Sequence, residues 1–258
     1  MAAALLLVLA SGVACGSRPD GSGDDSVRLP ERSPQDGGRD AARPTDGEAG
    51  PIDAAVDVDS AATSKLCAEP ALLLCFSFEG EVKDGSPNAF APTNVQGVTF
   101  APGKSRLAAV LTETSFIRFA SAPLLTVPAS TVEAWVRPTQ VLVESVIFDA
   151  DERYAMSALP DGSLQCNTTN IVVKGGQLPL GTWTHAACVY DGAKVRVYVN
   201  GVLSNSASGS NGLAPTPPAS SAIGGNAPTG QPFVGAIDSF RVFKVARTAA
   251  QIAAAAAP

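Results

Sequence analysis

Between Asp191 and Gly201 the chain reads DGAKVRVYVNG, and Val195, Val197 and Val199 alternate with Arg196, Tyr198 and Asn200. A period of two puts successive side chains on opposite faces of a strand. The pairs Asp191-Gly192 and Asn200-Gly201 that bracket this run are hairpin-turn sequences. Ala187 and Val189 before the first turn, and Val202 and Leu203 after the second, extend it into a three-strand antiparallel meander. The alternation returns in STVEAWVRPT, with Val132, Ala134 and Val136 on one face and Glu133, Trp135 and Arg137 on the other. LLLCFSFEG reads as an early strand, and FVGAIDSFRVFKVA as a late one carrying Ile237, Phe240, Val242 and Val245. ESVIFDADERYAMSALPDGSLQCNT reads as a hairpin turning at Pro160-Asp161-Gly162. Short strands at roughly ten-residue intervals predict an all-β sandwich or jelly roll. The closing RTAAQIAAAAAP reads as a short helix, with Thr248 and Gln251 forming a capping box.

The first fifteen residues, MAAALLLVLASGVAC, break this pattern with a continuous apolar stretch from Ala2 to Ala10. It is too short for a permanent membrane helix and suits the core of a signal peptide. SGVAC, with Ala14 before Cys15, resembles a bacterial lipobox, which implies a lipid on Cys15. No Lys or Arg precedes the apolar core, and Gly12 stands where Leu is usual. Residues 16–64 are rich in Asp, Gly, Pro, Ser, Arg and Ala and nearly free of aromatics. Such a segment cannot bury enough apolar area to offset its ordering entropy, so a disordered acidic linker is expected. The chain thus divides into a signal segment at 1–15, a linker at 16–64 and a domain at 65–258. The expected location is the bacterial envelope, lipid-anchored at the outer membrane, or the medium.

Charged residues make up 16% of the chain and the net charge is -6, which is not the footprint of a nucleic-acid binder. Beyond Cys15 there are four cysteines, Cys67, Cys75, Cys166 and Cys188. An even number in an exported chain points to disulfides. Of three possible pairings, Cys67 with Cys75 and Cys166 with Cys188 is the most economical. His185, the single histidine, follows Trp183 at the start of a strand and has no nucleophile-elbow motif to serve, so it is expected to be structural.

TVEAWVRP, WTHAACVYDGAKVRVYVNG and IGGNAPTGQPFVGAIDSFRVFKVARTAAQI, in that order, resemble the laminin G-like jelly-roll domains of the concanavalin A-like lectin and glucanase superfamily. The resemblance runs from about Leu66 to the C-terminus. DGSPNAF departs from the family's Asp-x-Ser-Gly-Asn turn by placing Pro87 at the glycine. The resemblance implies two antiparallel sheets packed face to face, with Cys166 and Cys188 on neighbouring strands and a bond contributing on the order of 3 kcal/mol. It implies a structural calcium ion held by Glu79, Asp84, Asn88 and Asp238. It implies glycan binding through aromatic rings, for which Trp135, Tyr154 and Tyr198 are candidates, with Trp183 more suited to packing. Glucanases of this fold carry alternate carboxylates on one strand. The nearest run here, Asp149 to Glu152, puts Asp149 and Asp151 on one face and Glu152 on the other, and lacks a third carboxylate. The expectation is therefore a non-catalytic, envelope-anchored binding module for carbohydrate or extracellular matrix. A protein–protein adhesion or scaffolding domain is the alternative, and a laminarinase-type hydrolase comes after both. The polar stretch from Ser204 to Gly225 is expected to be a long loop.

Overall fold

The structure, a computed structural model, describes residues 65–120, 125–151, 153–209, 220–226 and 230–257. The signal segment, Cys15, the linker and Glu152 lie outside the described residues.

Fifteen strands and one short helix are described. The strands are β1 (Leu72–Phe76), β2 (Asn94–Gln96), β3 (Thr99–Pro102), β4 (Leu107–Leu111), β5 (Phe116–Ala120), β6 (Ser130–Gln140), β7 (Ser145–Asp149) and β8 (Tyr154–Ala158). They continue with β9 (Leu164–Thr168), β10 (Val172–Gly175), β11 (Thr184–Tyr190), β12 (Lys194–Val199), β13 (Val202–Ser208), β14 (Ser220–Ile223) and β15 (Val234–Phe243). The helix is α1 (Ala249–Ala255). The first sheet runs β13-β12-β11-β6-β15-β4-β3, with β1 also paired to β15; the second runs β10-β9-β8-β7-β14-β5-β2. The two layers enclose one core in which Leu74, Phe76, Ile117, Phe119, Phe148, Ile237 and Phe240 are buried. This is the two-sheet antiparallel jelly-roll sandwich that the alternating pattern predicts.

The turns follow the sequence closely. Asn200 and Gly201 both take positive φ, 48° and 79°, as a two-residue hairpin turn of primed type requires. Asp191 Oδ1 accepts hydrogen bonds from the amides of Ala193 and Lys194. The segment expected to be one hairpin contains two turns and three strands, because Ala150–Arg153 reverses the chain before Tyr154. The expected loop after Ser204 is shorter than its polarity suggests, since β13 and β14 occupy its ends.

Both disulfides form as the economical pairing has them, Cys67–Cys75 and Cys166–Cys188. Their placement corrects one expectation. Cys166 lies on β9 and Cys188 on β11, in different sheets, so the bond ties the layers together across the core. Its Cα–Cα distance is 5.5 Å, whereas packed sheets usually stand about 10 Å apart. The layers are therefore drawn close at this edge. Asn205 Nδ2 of β13 donates to the Lys174 carbonyl of β10 at 2.7 Å across the same edge. Gly176 fits there because a Cβ would stand 2.2 Å from Val199 Cγ2.

Outside the first sheet, α1 buries Ile252 against Ala187, Val189 and Tyr198. Its capping box is present as the sequence predicts. Beside it, Glu133 is fully buried between Arg241 and Arg247, each at 2.5 Å, and Glu69 pairs with the same two arginines from the other side. Burial raises the Glu133 pKa, against the pull of the two guanidinium groups. Glu69 sits inside the Cys67–Cys75 loop, so that disulfide holds the cover of a buried charge cluster.

Candidate functional site

The outer face of the second sheet carries marked surface relief. Ile117, Phe119, Phe148, Met156, Cys166 and Ile223 turn into the core, so their strand neighbours turn out. Register aligns Asn94, Arg118, Ala222, Asp149, Ala155 and Asn167 side by side on β2, β5, β14, β7, β8 and β9. At strand spacings near 4.8 Å, the row from Arg118 to Asn167 is about 19 Å long. Two small residues, Ala222 and Ala155, lie between larger polar ones and lower the floor.

Two clefts open along this row. One, of about 340 Å³, is lined by Gln96, Glu113, Phe116, Arg118, Ala222 and Asn226, among others. The other, of about 290 Å³, is lined by Asp149, Arg153, Tyr154, Asn167, Thr168 and Thr169. Ala222, which lines the first, pairs in register with Asp149, which lines the second. Buried polar atoms without a hydrogen-bond partner gather on this face and include Arg118 Nε, Ser157 Oγ and Asn167 Oδ1. Burial lowers the Arg153 pKa and raises that of Tyr154, and each residue's charge opposes the other's shift. The face offers hydroxyl, amide, carboxylate and guanidinium groups in reach of one another. That inventory can hold a polyhydroxylated ligand by hydrogen bonds.

The residues singled out by sequence are scattered by comparison. Trp135 is on the outer face of the other sheet, half-buried, with His185 edge-on at 5.5 Å and Lys104 Nζ 4.4 Å above the ring. His185 is buried as expected of a structural residue, and burial, with Arg241 and Arg247 nearby, pushes its pKa down to about 3. Trp183 is half-buried, with the Arg137 guanidinium 5.0 Å above its ring. Tyr198 is 4% exposed because α1 lies over the face that alternation marks as polar. Tyr154 is also 4% exposed, its ring turned into the core 6.1 Å from Phe148. Neither tyrosine therefore presents a ring to a sugar, which corrects the expectation for both.

The four expected calcium ligands do not converge. Asp84 accepts from the amides of Cys75, Ser86 and Phe90 and from the Ser86 hydroxyl, which occupies both of its oxygens. Asn88 Nδ2 donates to the carbonyls of Leu72 and Leu73. These two residues shape a turn. Glu79 and Asp238 instead share the turn Gly103–Leu107: Asp238 Oδ2 accepts from the amides of Lys104 and Ser105, and Glu79 Oε2 from that of Leu107. Burial raises the Asp238 pKa, with Glu79 adding to the rise. Among the described residues, no group of three or more His, Cys, Asp or Glu side chains could hold a metal ion.

The carboxylate pattern of a glucanase is also absent from the described strands. Asp149 ends β7 and Asp151 lies in the turn that follows, so the two do not alternate along one strand. Sequence reasoning passed over Arg118, Phe116 and Asn167. FIRFA alternates cleanly, with Ile117 and Phe119 inward, and marks Phe116 and Arg118 as outward. What it cannot show is that Ala222 and Asp149 stand next to them.

This fold belongs to a known class. Residues 111–253, more than half of the chain, match the laminin G model of the concanavalin A-like lectin/glucanases superfamily, and the chain belongs to that family. Among solved structures, it is similar to domain 4 of AbnA, a GH43 extracellular arabinanase from Geobacillus stearothermophilus, solved in complex with arabinotriose. Identity is 29% and the TM-score 0.61, over 72% of this chain and 98% of that one. The binding domain of Paraclostridial Mosquitocidal Protein 1 shares the fold at 17% identity and a TM-score of 0.60, as does that of botulinum neurotoxin DC in complex with SialylT at 10% and 0.56. This chain covers 52% and 50% of those two, about half of their length. No curated protein matches the chain significantly. The two disulfides mark an exported protein. No helix among the described residues is long and apolar enough to cross a membrane.

Proposed function

We propose that residues 65–258 form a non-catalytic glycan-binding module whose site is the outer face of the second sheet. The observation that carries this reading is the register-aligned polar row from Arg118 to Asn167, with a cleft at each end and a floor of alanines. The likeness to an arabinanase domain solved with arabinotriose supports it. Hydrolysis needs two carboxylates flanking one bond, and among the described lining residues each cleft contributes a single one, Glu113 or Asp149. Binding and catalysis are separated by incubating the protein with arabino-oligosaccharides and with a glycan array. Retention without turnover is expected. Asn167→Ala should weaken it about tenfold, the cost of one or two hydrogen bonds, while Trp135→Ala leaves it unchanged. Loss on Trp135→Ala alone would move the site to the other sheet. A silent array from a folded domain would favour a protein partner.

The proposal extends to the rest of the chain. Cys15 carries a lipid and residues 16–64 act as a spacer at the envelope. Palmitate labelling of expressing cells should mark the native chain and not Cys15→Ser.

A further inference from the structure

The cleft beside β5 contains a cation backed by an aromatic ring. Residues 65–258 hold thirteen acidic and thirteen basic side chains, so this part of the chain has no net field to attract an anion. Selection for charge must then be local. Arg241 and Arg247 are engaged with Glu69 and Glu133, Arg196 with Asp191, and Arg106 with Glu79. Arg118 has no carboxylate partner among the described residues. Its guanidinium stands 4.2 Å from the centre of the Phe116 ring, which limits the orientations of the planar fork. Its Nε is buried without an acceptor. Gln96 lines the same cleft, its Nε2 donating to the Thr114 carbonyl. Glu113 lies at the exposed rim and accepts from Gln140.

We propose that this cleft reads a carboxylate on the bound glycan, a uronic or sialic acid residue, through the Phe116-backed guanidinium of Arg118. The inference rests on the glycan-binding reading of this face and names the chemical class of one subsite. A guanidinium held flat meets a carboxylate through two parallel N–H donors, a geometry that a neutral hydroxyl does not match. Glu113 at the rim opposes the same charge and keeps the subsite from holding small anions indiscriminately.

Matched probes test it: trigalacturonic acid against its methyl ester, and sialyllactose against lactose, by calorimetry with the full chain at two salt concentrations. The acid form of at least one pair should bind about tenfold more tightly than its neutral counterpart, with the gap narrowing at high salt. Arg118→Gln should abolish that gap. Arg118→Lys should restore part of it, and Glu113→Gln should widen it. Far-ultraviolet circular dichroism confirms that each variant is folded. Equal binding of acid and neutral forms, or an unchanged gap in Arg118→Gln, overturns the inference while the glycan-binding reading stands. No binding of any of the four probes or of the array glycans overturns both.

Discussion

Acid should destabilise this domain through one imidazole. His185 is buried against Trp135, and its pKa falls from 6.5 to about 3, through burial first and then through Arg241 and Arg247. The folded state therefore keeps the ring neutral, while the unfolded chain takes up a proton below pH 6.5. Stability from this source is complete above pH 6.5 and is lost as pH falls toward 3. Each pH unit in that window is worth about 1.4 kcal/mol, so moving from pH 6.5 to 4.5 removes between about 2 and 3 kcal/mol. Glu133 and Asp238 act in the opposite sense, because their raised pKa values make the folded state bind protons first as pH drops. They are common to the native chain and to His185→Phe, which keeps a ring against Trp135 and cannot titrate. Guanidinium denaturation at pH 6.5 and 4.5 on both proteins isolates the histidine. The native chain should lose about 2 kcal/mol more than the variant over this interval. Equal losses would refute the assignment of a neutral, buried imidazole.

Three further outcomes are expected. Replacing Cys166 and Cys188 with alanine should cost about 3 kcal/mol in urea titrations, the chain-entropy value for a loop of this size; a cost below about 1 kcal/mol would show that packing alone holds the layers together. Glu133→Gln leaves Arg241 and Arg247 sharing Glu69 and should cost about 3–5 kcal/mol, measured by thermal melting; a neutral result would mean that water reaches the cluster. Gly176→Ala places a methyl group 2.2 Å from Val199 Cγ2 at a φ of 65° and should cost about 2–4 kcal/mol, whereas Gly181→Ala, with open space around it, should cost about 1.

What the sequence shows is set by how local the cause is. Alternation found β6 and β12, and the Asn-Gly and Asp-Gly pairs found their turns, because each depends on adjacent residues. Ile237 and Phe240 both turn inward at an odd spacing because β15 is irregular between them, where Ser239 takes a φ of 52°. Val245 falls beyond the end of that strand and is exposed. The burial of Tyr198 escapes the alternation because its cover, Ile252, lies more than fifty residues away. The inter-sheet position of Cys166 and Cys188 depends on which layer each strand joins, and spacing carries no information about that. The candidate row is the extreme case. Its members lie on six strands from β2 to β14, and nothing in any one segment marks it as part of a site.

The position of β15 governs when this domain can be born. It pairs with β1, β4 and β6, so the middle of the first sheet closes around the last strand of the chain. Arg241 and Arg247, which neutralise Glu69 and Glu133, also come from the final eighteen residues. A nascent chain lacking this segment has an unpaired β1, a split sheet and two uncompensated acids, and cannot commit to the native topology. Contacts this distant in sequence make for slow closure. For an exported protein, late commitment is an advantage: the domain stays threadable until β15 has been made.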